Sequence, residues 1–66
     1  MRYAIVYLRP DGWWVAGTGA RSRDEATQDA EAHDWRGSVW KVVPSERGFR
    51  GGSIVPLRCQ ESVDLA

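Results

Sequence analysis

Residues 2–8 (RYAIVYL) and 13–18 (WWVAGT) are two runs of β-branched, aromatic and small apolar residues, with Pro10-Asp11-Gly12 between them. Such runs suit pleated strands. The break supplies a turn: proline presets φ, aspartate tolerates the next position and glycine takes a left-handed one. The pattern predicts a β-hairpin. Ser22-Arg23-Asp24-Glu25 then fits a capping box, in which Ser accepts from the N3 amide and Glu reaches back. Ala26, Ala30 and His33 follow at i, i+4 and i+7, one narrow stripe of a helix over residues 23–35 that stops at Gly37. Residues 38–43 (SVWKVV) read as a third strand ended by Pro44, and residues 45–52 as a loop. Residues 53–59 (SIVPLRC) read as a fourth strand, at an edge because Pro56 lacks an amide donor. The predicted order is β-β-α-β-β. This is an α+β fold with one domain over residues 1–59, a four-stranded antiparallel or mixed sheet, one helix on one face, and residues 60–66 as a frayed tail.

Alternation along the strands assigns the faces. A type I turn with a glycine bulge sets Arg9 opposite Trp13 and Leu8 opposite Trp14. Ala4, Val6, Leu8, Trp14 and Ala16 then share a compact face beneath the alanine stripe. Tyr3, Ile5, Tyr7, Arg9, Trp13 and Val15 share the other, with Arg9 placed to stack on Trp13. In the third strand Lys41 marks the open side, which puts Trp40 and Val42 in the core. One helix covers one face, so the Tyr3/Tyr7/Trp13 face is expected to stand open as an interface. Two alternatives stay open. The C-terminal segment, or the loop with Phe49, folds back over that face, or a one-residue slip of register exchanges the two faces.

A chain of this length buries only ~60% of the surface its unfolded form exposes. Cys59 is the only cysteine, so no disulfide closes within the chain, and His33 is the only histidine, short of a protein-only zinc site. Four tryptophans, two tyrosines and a phenylalanine are left to supply the core. The lone thiol suits a reducing compartment. The apolar run at residues 3–8 is shorter than a signal-peptide core of ~7–15 residues, and nothing approaches the ~20 apolar residues of a membrane span. A cytoplasmic protein with no membrane partner is expected. Formal net charge is zero, yet residues 24–34 carry five acidic groups and no Lys or Arg, a local −5 against +5 for the rest. That dipolar surface argues against both a DNA mimic and a general basic nucleic-acid binder.

Catalytic chemistry is sparse. His33 lies on the alanine stripe, where a satisfied histidine is the commoner reading than a general base. Cys59 has no neighbour to lower its pKa. Gly17-Thr18-Gly19-Ala20 lacks the GK[ST] ending of a phosphate loop. No enzyme activity, cofactor, metal or small-molecule substrate is expected. Arg47-Gly48-Phe49-Arg50-Gly51-Gly52 has the composition of an RGG element. With Lys41, the residues Arg47, Phe49 and Arg50 form a second reading, a module that binds single-stranded nucleic acid. A homodimer pairing the aromatic faces is a third.

Ser22-x-x-x-Ala26-x-x-x-Ala30 and Gly37-Ser38-Val39-x-x-Val42, after the strand Tyr3-Ala4-Ile5-Val6, resemble small phage-encoded anti-CRISPR proteins of the type I-F inhibitor group. The resemblance covers residues 1–43 and consists of strand and helix patterning. It implies one helix packed on an antiparallel sheet, and a phage protein that docks on a crRNA-guided surveillance complex to block target-DNA hybridisation. Those inhibitors present basic and polar side chains from the helix region, whereas this helix shows Asp24, Glu25, Asp29 and Glu31, so no site residue carries over. The leading expectation is a non-enzymatic inhibitor or adaptor of a host protein or ribonucleoprotein complex. Its expected surfaces are the aromatic face (Tyr3, Tyr7, Arg9, Trp13) and the acidic helix edge (Asp24, Glu25, Asp29, Glu31).

Overall fold

A computed structural model describes residues 2–33, 39–45 and 49–65. The elements are β1 (Tyr3–Arg9), β2 (Gly12–Ala20), α1 (Arg23–Ala32), β3 (Trp40–Pro44) and α2 (Leu57–Leu65). The strands form one antiparallel sheet in the order β2-β1-β3. The predicted hairpin and capped helix are present, but the β-β-α-β-β order is not. Among the described residues there are three strands and two helices, and the chain beyond Pro56 is helical.

The difference arises at Pro56. Residues 53–55 are extended and run along the free edge of β2: Val15 donates to the Ser53 carbonyl and Val55 to the Trp13 carbonyl, both at 2.8 Å. They pair through a single bridge, Trp14 with Ile54. The ladder stops at Val55, whose carbonyl accepts from Gln60 Nε2 while Trp13 N–H donates to Gln60 Oε1, and the chain turns off at Pro56. The Pro56 carbonyl accepts from Cys59 N–H at 2.8 Å and opens α2. Cys59 and Val63, four residues apart, form the buried stripe of this helix. Residues 60–65 are thus part of the fold, not a frayed tail. At its C-terminal end Lys41 Nζ donates to the carbonyls of Val63 and Asp64 at 3.0 and 3.3 Å, where a cation also opposes the helix dipole.

The register of the hairpin decides which side chains enter the core. Arg9 lies opposite Gly12, Leu8 opposite Trp13 and Tyr7 opposite Trp14. Gly12 has φ 126°, and a Cβ there would stand 3.1 Å from Gln60 Oε1. Glycine therefore serves as a rung of the ladder, not as the third residue of a turn. This is one step from the expected register, and with a side-chain period of two that step turns β2 over. Trp13 joins Ala4, Val6 and Val15, while Trp14 joins Tyr7. Ile5 then faces Gly17 and Val6 faces Val15, leaving Ala16 as an extra residue in a bulge. Val15 and Ala16 pack on opposite sides of the sheet, as adjacent strand residues do.

Both faces of the sheet are used. On one, Ala4, Val6, Trp13, Val15 and Val43 pack with Val55, Cys59 and Val63, and Phe49 lies against them. On the other, Ile5, Ala20 and Val42 pack under Ala26 and Ala30 of α1, with Tyr3, Ala16 and Trp40 at the margin. The alanine stripe covers the Ile5 face, not the Val6 face assigned to it, and the C-terminal segment folds back over the Val6 face. Val42 is buried as expected; Trp40 is only partly so, and Lys41 faces α2.

Ser22 is the N-cap of α1, and its Oγ accepts from Glu25 N–H at 3.1 Å. Glu25 reaches back to accept from Arg21 N–H at 3.1 Å, closing the box one residue earlier than the simplest form. His33 is the C-cap and is exposed; its Nδ1–H and its backbone N–H both donate to the Asp29 carbonyl. The helix end expected at Trp35 and Gly37 lies outside the described residues. No helix among those described is long and apolar enough to cross a membrane.

Candidate functional site

Trp13, expected at the outer surface, is 3% exposed. Its indole Nε1–H donates to Asp64 Oδ1 on α2. Its backbone N–H donates to Gln60 Oε1 at 3.1 Å, while Gln60 Nε2 donates to the Val55 carbonyl at 2.8 Å. Lys41 Nζ stands 5.3 Å from its ring centroid. Every polar group around this ring joins β2 or β3 to α2. Trp13 is therefore a clasp of the fold and is removed from the candidate surface.

The flipped register brings Trp14 outward in its place. Trp14 lies beside Tyr7, and Tyr7 beside Trp40 on the far strand. Ile54 faces Trp14 across the single bridge on the other edge. Directly opposed residues of antiparallel strands project to the same face. Ile54, Trp14, Tyr7 and Trp40 therefore form one row across the sheet, about 14 Å long at three strand spacings. Ile54 is 38% exposed, and the three aromatics are partly so. Trp40 touches the margin of the α1 cluster, whereas Tyr7, Trp14 and Ile54 stand outside it.

Two contacts fix Trp14 in place. The Arg9 guanidinium carbon is 4.7 Å from its ring centroid, and its Nε1–H donates to Asp11 Oδ1 at 2.9 Å. Arg9 itself is exposed, so the ring lies beneath a cation that still reaches solvent. On the opposite face the same end of the sheet carries Leu8 and Val39, which are 47% and 57% exposed. The hairpin end thus has apolar side chains on both sides, with the Arg9 cation and the Asp11 carboxylate beside Trp14.

Of the expected surface residues, Tyr7 and Arg9 belong to this row. Tyr3 lies at the other end, partly buried at the α1 margin with Arg23 5.3 Å over its ring. Asp24, Glu25, Asp29 and Glu31 are all exposed on α1, and Glu25 is engaged in the cap. Among the described residues of the nucleic-acid reading, Lys41, Phe49 and Arg50 do not converge. Lys41 is turned to the end of α2, and Phe49 packs on the core. Arg50 is exposed, and Arg47 lies outside the described residues. Gly17-Thr18-Gly19-Ala20 is part of β2 rather than a loop before a helix. Sequence reasoning missed Trp14, Trp40 and Ile54. The signal for the first two was their place beside Tyr7 once Gly12 is counted in the ladder; Ile54 needed the bridge to β2.

Compared with known protein families, with characterised proteins and with solved structures, the chain matches none.

Proposed function

We propose that the protein is a small non-enzymatic binding protein that docks on a partner protein through the row Ile54, Trp14, Tyr7 and Trp40, with Arg9 as its charged anchor. The observation that carries this reading is the second tryptophan. The fold consumes Trp13 and leaves Trp14 partly exposed and already held by Arg9 and Asp11. Aromatic residues and arginine are the groups most enriched at binding hot spots. A ring that is fixed before association loses little entropy on binding. The exposed Arg9 suits a partner surface that offers a carboxylate beside apolar side chains.

The test is affinity capture with the full chain and two variants. Trp14→Ala is expected to stay folded and to lose a partner that the native chain captures. Asp29→Asn is expected to keep it. Loss with Asp29→Asn and retention with Trp14→Ala would move the site to the acidic helix. The resemblance of residues 1–43 supplies one defined partner to try first, a type I-F crRNA-guided surveillance complex. In a target-DNA binding assay the native chain inhibits that complex under this proposal, and Trp14→Ala does not.

A further inference from the structure

β3 is an outer strand of the sheet. Leu8 N–H donates to the Val39 carbonyl and Ser45 N–H to the Arg2 carbonyl, both at 2.8 Å. Residues 39, 41, 43 and 45 thus turn their amide groups towards β1, while those of Trp40, Val42 and Pro44 point away from the sheet. This edge is partly closed. Pro44 has no N–H to offer, and Arg23 of α1 donates Nη1–H to the Val42 carbonyl at 3.0 Å. Among the described residues nothing pairs with the N–H and C=O of Trp40 or with the N–H of Val42. A shallow groove of about 320 Å³ lies beside these groups, lined by Arg23, Thr27, Trp40, Lys41 and Val42.

We infer that this edge takes an extended, acidic segment of a partner protein as an added strand. Unpaired edge groups are a template for such addition. The N–H and C=O of Trp40 offer two main-chain hydrogen bonds. A carboxylate on the segment, placed beside Val42, accepts from Val42 N–H and from the guanidinium of Arg23. That guanidinium has five donors and gives one to the Val42 carbonyl. Arg23 supplies the positive charge of the groove, since the Lys41 ammonium is turned to the end of α2 on the other face. A second copy of β3, with the sequence WKVVP, fits less well because it carries no carboxylate to set beside Arg23. The occupant is a short segment anchored by charge.

The inference rests on the binding-protein reading but not on Trp14, so the two can fail separately. The test is amide chemical-shift mapping of the full chain with a short blocked peptide of alternating Glu and Val, against a Lys-Val counterpart. The Glu-Val peptide is expected to shift the Trp40 and Val42 amides and slow their exchange, while the Lys-Val peptide leaves them unmoved. Arg23→Gln is expected to weaken binding roughly tenfold, the loss of one charge-assisted hydrogen bond, and Trp14→Ala to leave it unchanged. Equal binding of both peptides, shifts confined to other residues, or no shift at all overturns the proposal. So does protection of the same amides that rises with protein concentration alone, which would seat a second copy on the edge.

Discussion

Trp13 and Trp14 are chemically identical neighbours with opposite fates, and a single glycine separates those fates. Gly12 occupies φ 126° with Gln60 packed against it, so Gly12→Ala meets both a forbidden backbone region and a crowded side chain. Its expected cost is more than ~1 kcal/mol, read from a denaturant titration. Gln60 answers the backbone of Trp13 and Val55 at once. Gln60→Ala leaves partly buried groups without partners and is expected to cost about 1–3 kcal/mol by the same measurement. The composition Pro10-Asp11-Gly12 announces a hairpin but is compatible with two registers. The contact that selects one of them comes from a glutamine 47 positions away in the chain, which no local pattern contains.

At the scale of elements, legibility follows how local the cause is. The hairpin and the start of α1 rest on adjacent residues and were readable. Ser22→Ala is expected to cost ~1 kcal/mol of stability in a thermal melt, as for other N-caps. α2 was not readable, because its pattern inverts the usual expectation. Leu57 and Leu65 are 84% and 80% exposed, while the smaller Cys59 and Val63 are buried. The β-branched pair Ile54 and Val55 also gives the preceding residues a strand signature that continues across Pro56. The role of α2 is nonetheless large. It covers Val6, Trp13 and Val15 and supplies the partners of the Trp13 ring. A chain ending at Pro56 is therefore expected to lose its cooperative unfolding transition, measured by circular dichroism; an unchanged melt would contradict the assignment of this helix to the core.

As a whole, the molecule is a three-layer arrangement in which α1 and α2 lie on opposite faces of one small sheet. Among the described residues the largest fully buried side chains are valines, so Trp13 contributes a large share of the apolar area available to a chain of this size. That accounts for the division of labour. One tryptophan holds the second helix to the sheet, and the other lies with Tyr7, Trp40 and Ile54 in the row proposed as the docking site. Of the aromatic face expected from sequence, Tyr7 lies in the row and Arg9 over Trp14, while the one-residue step in β2 turns Trp13 into the core. The most direct test is urea unfolding of Trp13→Ala and Trp14→Ala side by side. Trp13→Ala is predicted to lose about 3–5 kcal/mol, as for a buried tryptophan, and Trp14→Ala about 1 kcal/mol. Equal losses, or a larger loss at Trp14, would contradict the assignment of Trp13 to the fold and Trp14 to the surface.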